Sequence, residues 1–539
     1  MSSNLIRITG MSSGLDVDAI VDALIKSESY KVDKAKQEQQ KLEWKQQDYR
    51  DIITAINDFK NKYLNYTNPS TNMLSPTNYA SYDVKSSDAY NTYVKVSGNG
   101  SATTGNYKIE NITVATKASY VGDEDHPINI ENTSQKVFTL FSNDEDAKVS
   151  FKINDTEFTY DFSSTGADKD KTISALMTEI SNKAGVSFKY SQLAGRFTLE
   201  SASTGTEAEL TLSETDGSKF FTTFFGQNAT STAGHDATVT ITDPTGTKKT
   251  ITKSSNTFTI DGVTYNLVSD TKESESITIT LTDNVDDVYG KINSFINDYN
   301  SLIDKIYNKI NEKPNLDYPP LTDTQKEDME KDEIEKWEEK AKKGLIKGDS
   351  TLQNLLNNLR SSLYESVEAA GMTLTEIGLS TSSDYTKHGK IEINETKLKS
   401  ALRDNKNAVI SIFTNVSTTQ PSYSASASAE SQKARKKEEG IFQRISDILM
   451  DNIRTTRDSG GRKGSLLEKA GLVGDLSEFK NTLSEQINDI KKKIKAMQNT
   501  LNEREDYYYL KYSKLESTMS KLNSQNSYLS QLAGMNLWG

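Results

Sequence analysis

Seven apolar residues recur at intervals of seven near the C-terminal end of the sequence. They are Ile487, Ile494, Leu501, Tyr508, Leu515, Leu522 and Leu529. Neither Pro nor Gly interrupts residues 487–529. Heptad spacing places these side chains in one stripe along a helix, and such a stripe is stable only when a partner covers it. The sequence therefore predicts a long amphipathic C-terminal helix that needs another helix to pack against.

A weaker row of the same period lies near the N-terminal end, at Leu42, Tyr49, Ile56 and Tyr63. We expect this N-terminal helix to begin after Asp16, because Asp is a favoured N-cap residue. Asn68-Pro69 is expected to end it, because Pro disfavours helix in the residue before it. Two helices with apolar stripes, one at each end of the chain, predict a coiled-coil-like leg.

A companion row in the C-terminal helix keeps the heptad only in part. Leu483, Ile490 and Met497 follow it, and the apolar positions then slip by one residue to Tyr512 and Met519. A straight helix with 3.6 residues per turn drifts in this way relative to a strict heptad. The sequence therefore does not predict one uninterrupted two-stranded supercoil.

Composition excludes several classes of protein. A chain of 539 residues is too long for one core, and its formal net charge of -12 disfavours nucleic acid as a partner. No apolar run reaches the roughly 18 residues of a membrane span. The first residues lack a basic segment followed by a continuous apolar one, so no cleaved signal peptide is expected. The chain has no Cys, which excludes disulfides and thiolate chemistry.

The middle of the sequence has the period of β-strands. Apolar and polar residues alternate from about residue 70 to 284, with Gly residues between the runs. Asp261-Gly262 predicts a tight hairpin turn. A short helical pattern around Ile173–Ile180 interrupts the strands, which indicates a separate insertion at about 121–233.

Helical periodicity returns near Val285, with a wide apolar stripe typical of a helix buried in a bundle. Its members are Val288, Ile292, Phe295, Tyr299, Leu302 and Ile306. Another helix is expected at Ser350, with Gln353 completing a capping box. A Ser/Ala-rich loop is expected at 421–432, followed by helix from Ile441 to about Leu532 with a Gly-rich break at 459–464.

These patterns together predict an α+β multidomain fold. Residues 1–45 with 480–539 would form the terminal helical leg, and 46–69 with 285–479 a helical bundle domain. A β-rich head domain would comprise 70–120 with 234–284. Residues 121–233 would form a second, inserted β-rich head domain with one short helix.

No motif for catalysis, metal binding or cofactor binding is present in the sequence. The three histidines, His126, His235 and His388, lie far apart in polar segments, and no HExxH, Walker A, GxGxxG or GxSxG pattern occurs. The Tyr507–Tyr509 run could suggest nucleic-acid stacking, but its acidic neighbours disfavour that interpretation. We expect no enzyme activity and no cofactor.

Several segments resemble one family in the same order along the chain. Residues 10–24, GMSSGLDVDAIVDAL, closely resemble the opening of bacterial flagellar filament cap proteins, the hook-associated protein 2 family. Further similar segments are 105–109, 112–115, 235–239, 256–267, 295–300, 389–413 and 519–529. Residues 151–212 also resemble a module inserted in flagellins and hook-associated proteins.

The resemblance implies a ring-forming homo-oligomer at the filament tip that helps exported flagellin to fold and insert. It further implies hook–filament junction proteins, the flagellar type III export apparatus and an export chaperone as partners. The implied location is extracellular, on the flagellum. Apolar residues of the two ends would dock the leg on neighbouring subunits. The candidates are Leu5, Ile6, Ile8, Leu15, Leu24, Leu529, Leu532, Met535, Leu537 and Trp538.

Two other structural functions stay open at this point. A flagellin-like filament or junction subunit would share paired terminal helices, although the N-terminus lacks the Asn/Gln-rich opening of flagellins. A β-rich head could instead act in cell adhesion by binding host glycans.

The terminal helices are expected to be weakly ordered in a dilute monomer. An isolated helix with one apolar stripe is only marginally stable in water. Amide hydrogen exchange on the dilute chain should therefore show little protection across residues 1–40 and 500–539, with protection appearing on assembly. Strong protection of both segments in the monomer would contradict this expectation.

Overall fold

The protein divides into two compact units. The computed structural model describes residues 13–86, 90–272, 275–368, 370–382 and 389–535. The helical unit contains the described residues up to Pro76 and from Tyr289 onward, and the β-rich unit spans Thr77–Val288. Several separate sheets and long terminal helices make the fold α+β and multidomain, as predicted. The four-domain division remains a prediction.

The helices are numbered in chain order. They are α1 (Val17–Tyr63), α2 (Tyr90–Tyr93), α3 (Ile173–Ala184), α4 (Phe220–Phe225), α5 (Val285–Asn311), α6 (Asp323–Glu327), α7 (Lys331–Ala341), α8 (Ser350–Tyr364), α9 (Glu395–Asp404), α10 (Lys406–Thr414), α11 (Ala429–Glu438), α12 (Ile441–Ile453), α13 (Ser465–Ala470) and α14 (Thr482–Met535). Helices α2, α3 and α4 belong to the β-rich unit, and most of the others belong to the helical unit.

Strands form the β-rich unit and one small hairpin of the helical unit. They are β1 (Tyr82–Ser86), β2 (Val94–Gly98), β3 (Gly105–Thr113), β4 (Lys117–Val121), β5 (Lys148–Ile153), β6 (Thr156–Asp161), β7 (Val186–Ser191), β8 (Arg196–Thr204), β9 (Leu212–Glu214), β10 (Thr230–Thr232), β11 (Ala237–Thr242), β12 (Lys248–Lys253), β13 (Thr257–Ile260), β14 (Val263–Leu267), β15 (Ser276–Asp283), β16 (Leu379–Thr381) and β17 (Ile391–Ile393).

Helix α1 begins where the sequence predicts. The Asp16 side chain accepts a hydrogen bond from the Ala19 backbone N–H at 3.0 Å, which satisfies one of the free donors of the first turn. The helix then continues without a break to Tyr63. The predicted boundary between leg and bundle, at residues 45 and 46, therefore falls inside one helix.

The core of the helical unit is built around aromatic rings. Phe295 of α5 lies 5.1 Å from Phe59 of α1 and 3.9 Å from Phe442 of α12, measured between ring centroids. Phe442 also stacks on Phe413 of α10 at 4.7 Å. All the predicted stripe residues of α5 are buried. The wide stripe therefore marks a helix packed on several sides, as the sequence indicates.

Three local predictions in this unit are wrong. The N-cap of α8 is Asp349, which accepts from the Leu352 backbone N–H at 3.0 Å, so Ser350 and Gln353 form no capping box. The expected loop at 421–432 ends earlier, because Ser428 caps α11. The chain after Ile441 is not one helix with a short break, since α12 ends at Ile453 and α14 begins only at Thr482.

The β-rich unit contains two apolar cores. The first lies among an antiparallel five-stranded sheet (order β1-β15-β3-β11-β12) and a three-stranded sheet (order β13-β14-β2). The predicted hairpin turn at Asp261-Gly262 is confirmed: Ile260 pairs with Val263, and the two turn residues have φ of 47° and 77°. These positive angles are typical of a type I′ turn.

The second core is rich in phenylalanine. It lies among a four-stranded sheet (order β10-β4-β8-β7), a three-stranded sheet (order β6-β5-β9) and α3, the short helix that the sequence predicts. The sequence analysis missed α4, whose four Phe side chains are all buried in this core. Phe220 stacks on Phe151 with centroids 3.7 Å apart.

A buried charged cluster connects α11 and α12. Arg435 donates to the Asp447 carboxylate at 2.6 Å and pairs with Glu439, while Arg444 donates to the backbone carbonyls of Glu365 and Ser366 at 2.6 and 2.9 Å. Burial raises the pKa of both Glu439 and Asp447 above ordinary carboxyl values, and Arg435 only partly offsets this. Removing a buried charge from its partners is costly, so the cluster fixes how these helices pack.

Replacing Glu439 should change the pH dependence of stability. A carboxyl whose pKa is raised in the folded state holds a proton that the unfolded chain has lost, so the free energy of unfolding falls as pH rises through that range. Glu439→Gln removes this titration. Urea unfolding followed by helical circular dichroism should show a smaller decrease in midpoint from about pH 5 to about pH 8 for the variant than for the wild type.

The matched control is Glu430→Gln, an exposed Glu in α11, the helix that Glu439 directly follows. It should retain the pH dependence of the wild type. Equal pH dependence in the wild type and Glu439→Gln would refute the assignment.

Candidate assembly surface

Helices α1 and α14 form an antiparallel hairpin, here called the leg hairpin. Ser13 N–H donates to Glu516 at 3.3 Å, and Glu28 accepts from Arg504 at 3.2 Å. Farther along α1, Glu43 pairs with Lys491 at 3.3 Å. As the residue numbers rise along α1, the residue numbers of the contacting partners on α14 fall. The two helices therefore run antiparallel. The two ends of the chain are therefore partners of each other.

The apolar seam of the leg hairpin is narrow. Val17 and Val21 of α1 are buried, and Val32, Ala35 and Ile494 form a buried cluster between the two helices. Ile490, Met497 and Leu501 are partly buried against them. Each buried aliphatic side chain contributes about 1.5–3 kcal/mol, so a seam of this size stabilises the hairpin only modestly. Polar pairs such as Glu28 with Tyr508, at 3.1 Å, supply much of the remaining contact.

The predicted stripe of α14 becomes more exposed toward the C-terminus. Ile487 and Ile494 are 6% and 7% exposed, whereas Leu515, Leu522 and Leu529 reach 41%, 52% and 62%. The described part of α1 starts at Val17, and Ser13 already lies beside Glu516. Beyond residue 516, α14 therefore extends past the described part of this partner, and Leu522 and Leu529 are exposed there.

The slip predicted for the stripe is seen in the structure. Tyr512 and Met519 are half-buried, whereas Leu515 and Leu522, on the strict heptad, are exposed. Tyr508 is half-buried and its neighbour Tyr507 is 62% exposed. The contact line thus drifts around α14, as expected of a straight helix.

A polar network, here called the leg root, fixes the start of α14. The Gln46 side-chain amide donates to Ser484 Oγ at 2.9 Å and to Asn481 Oδ1 at 3.2 Å. Arg50 donates to the carbonyls of Ala470 and Glu478 at 3.2 and 3.3 Å. Gln46 and Asn481 are both buried, so each lost hydrogen bond would leave an unsatisfied group. Sequence reasoning missed this network, because it joins residues far apart in the chain.

Asp349 connects α1, α8 and α13 next to the leg root. It accepts from the Tyr49 hydroxyl at 2.6 Å and pairs with Lys469. Burial alone would raise the pKa of Asp349, but the hydrogen bonds from Lys469 and Tyr49 outweigh it and lower the pKa. The carboxylate is therefore ionised at neutral pH and holds three helices together.

The structure describes only some of the predicted docking residues. Leu5, Ile6, Ile8, Leu537 and Trp538 lie outside the described residues, and the side chain of Met535 is likewise not described. Leu15 is 41% exposed and Leu24 half-buried, both at the end of the leg hairpin distant from the leg root. Leu529 and Leu532 are 62% and 43% exposed on the extension of α14.

The described residues contain no group suited to metal-dependent chemistry. No three His, Cys, Asp or Glu side chains among them come together in an arrangement that could hold a metal ion. His126 hydrogen bonds with Asp123 at 3.1 Å, His235 lies in a separate segment, and His388 is outside the described residues. Within the described part of the chain, no helix has the length and apolar character to cross a membrane.

Comparison with known proteins identifies one family. The model of the flagellar hook-associated protein 2 C-terminus matches residues 234–524, and that of its N-terminus matches residues 13–118. Flagellar hook-associated protein 2 of Halalkalibacterium halodurans is 26% identical, over 97% of this chain and 99% of that protein. The Thermotoga maritima protein of that name is 26% identical, over 68% of this chain and 52% of its own length.

Among solved structures, the chain is similar to the crystal structure of the flagellar cap protein FliD D1-D2-D3 domains from Escherichia coli. It matches with a TM-score of 0.49 and 21% identity, covering 75% of this chain and 96% of that one. The C-terminal family model alone covers more than half of the sequence. The chain therefore belongs to the flagellar hook-associated protein 2 family, whose known role is to cap the flagellar filament.

Proposed function

We propose that the chain assembles into a ring on the distal end of the filament and promotes the folding and insertion of exported flagellin beneath it. The observation that carries this proposal is the leg hairpin, in which an apolar stripe on α14 extends beyond the described part of its partner helix. A stripe that is exposed in one chain and suited to another helix is typical of an assembly element.

The leg extension of α14 would dock on hook or filament subunits. Leu529 and Leu532 present apolar surface there, whereas Leu15, just before α1, and Leu24 of α1 lie where α1 still pairs with α14. Leu5, Ile6, Ile8, Met535, Leu537 and Trp538 belong to the same proposal on the sequence pattern alone.

The proposed partners are a second copy of the chain, flagellin, hook–filament junction proteins, the flagellar type III export apparatus and an export chaperone. The flagellin-like alternative is not favoured, because both matching family models are those of hook-associated protein 2. Export through the flagellar apparatus is compatible with the absence of Cys, because an unfolded chain without Cys cannot form wrong disulfides.

Deleting residues 530–539 should impair docking without unfolding the β-rich unit. The deletion removes Leu532 and the last residues of α14, and none of the described core residues. Cells carrying it should release unpolymerised flagellin into the medium, measured by immunoblot, while circular dichroism of the purified chain keeps its β signal. Filaments of normal length and number would argue against the docking role.

Weakening the seam should loosen the leg hairpin. Ile494 is 7% exposed and packs on Val32 and Ala35, so Ile494→Ser should cost about 2–4 kcal/mol of local stability. Amides of residues 487–499 should then exchange faster than in the wild type. Lys492→Ser, at a position whose side chain is 80% exposed, is the matched control. The prediction fails if both variants exchange alike.

A further inference from the structure

A small pocket, here called the acidic pocket, opens between α11, α12 and the chain segment 420–427. Its volume is about 150 Å³. Tyr423, Ala427 and Ile448 supply apolar parts of its wall, and charged side chains line much of the remainder. The pocket shares no residue with the leg hairpin or the leg root, so the proposed assembly role does not account for it.

The acidic pocket contains more carboxylates than guanidinium groups. Glu439, Asp447 and Asp451 line it, together with Arg435 and Arg444. With every one of these groups ionised, three negative charges face two positive ones. The pocket would then lack one positive charge in a partly dehydrated place, where such an imbalance is costly.

The cations already present are committed to other acceptors. Lys436 also reaches the wall, but its ammonium pairs at 2.7 Å with Glu365, which lies outside the lining. Arg444 donates to backbone carbonyls, among them that of Glu365 at 2.6 Å. Arg435 donates to the Asp447 carboxylate at 2.6 Å. The deficit of positive charge therefore falls mainly on the other two carboxylates.

Glu439 is the carboxylate that these cations serve least. It is 1% exposed, and its Oε1 atom accepts no hydrogen bond from the described residues, although the Arg435 guanidinium lies beside it. The exposed Asp451 accepts from a neutral donor, the Tyr423 hydroxyl, at 2.6 Å. A buried oxygen without a donor is costly, so a ligand that supplies donors there gains binding energy.

A proton now supplies the missing charge. The charged groups that face Glu439 are Arg435 from α11, and Arg444 and Asp447 from α12. Burial and the Asp447 carboxylate raise the pKa of Glu439 above ordinary carboxyl values, and the two guanidinium groups only partly oppose this. Water donates hydrogen bonds but brings no charge. A bound cation would satisfy Glu439 and displace its proton.

The geometry of the pocket favours an organic cation over a metal ion. No three His, Cys, Asp or Glu side chains within the described ranges are arranged to hold a metal. A cavity of roughly this volume accepts a molecule the size of benzene, and a short linear amine is no larger. An ammonium head has donors and no acceptor, which suits carboxylate oxygens, while its apolar stem suits Tyr423 and Ile448.

We propose that the acidic pocket binds an alkylammonium group, which a free amine and the lysine side chain of another protein supply equally. The ammonium contacts Glu439, with Asp451 adding attraction, and the stem lies against Tyr423 and Ile448. Binding replaces the proton of Glu439, which leaves to solvent. The inference does not depend on the proposed cap function, because no residue of the leg takes part.

Butylammonium chloride, added to the full-length chain, is the probe. At saturation it should raise the midpoint of thermal unfolding, followed by helical circular dichroism, by about 2–4 °C. Tetramethylammonium chloride at the same concentration controls for ionic strength and has no N–H donor, and butanol controls for the stem. Neither should raise the midpoint.

The exchange of a proton for a cation gives a second readout. A pH-stat should record the release of about one proton per chain near neutral pH as butylammonium binds. Affinity should rise about tenfold or more from about pH 6 to about pH 8, because Glu439 must lose its proton.

Three full-length variants separate the site from the fold. Glu439→Gln should weaken binding about tenfold and abolish the proton release. Asp451→Asn, at an exposed position, keeps an oxygen that accepts from Tyr423 and should weaken binding about threefold through lost attraction. Glu430→Gln, the exposed control in α11, should bind as the wild type does.

Two results would overturn the proposal. One is a midpoint that rises no more with butylammonium than with tetramethylammonium. The other is unchanged affinity and proton release in both Glu439→Gln and Asp451→Asn, with wild-type circular dichroism.

A second probe, Nα-acetyl-lysine methylamide, distinguishes the two sources of the ammonium group. Tighter binding of this compound than of butylammonium supports the site and assigns it to a protein lysine. Tighter binding of butylammonium supports the site and assigns it to a free amine. Failure of both probes to bind contradicts the proposal.

Discussion

The residues from Tyr63 to Thr482 connect two helices, α1 and α14, that pair with each other. Because α1 and α14 run antiparallel, the chain leaves the leg along α1, forms the two units and returns to the leg along α14. The leg root makes this return specific: Gln46 and Arg50 of α1 hold residues 470–484 by hydrogen bonds to buried groups. Apolar residues such as Val32 and Ile494 then hold the two helices together along the leg, while these polar contacts fix where α14 begins against α1.

The parts of the fold that the sequence predicts well are those with strong local signals. Asp16 as an N-cap, the buried stripe of α5 and the Asp261-Gly262 turn each depend on a few neighbouring residues. The errors arise where two signals compete. Ser350 with Gln353 has the pattern of a capping box, but the adjacent Asp349 is an equally good N-cap and is also held by Tyr49 and Lys469.

The candidate assembly surface also has some features with local sequence signals and others without them. The heptad stripe and its slip to Tyr512 and Met519 follow from periodicity, so the sequence predicts them. The leg root does not, because its hydrogen bonds join residues from distant segments of the chain. Leu476 and Phe479 look like ordinary core residues in the sequence but are exposed, whereas the four Phe residues of α4 are buried. Only the folded chain distinguishes the two cases.

The unbroken course of α1 has a mechanical consequence. Its 47 residues make a rod about 70 Å long that begins in the leg and ends among the aromatic rings of the helical core. A helix without Pro or Gly has no residue that favours a kink. A lateral force on the leg is therefore transmitted to Phe59 and Phe295 as torque. A load on the leg therefore acts directly on the packing of the helical core.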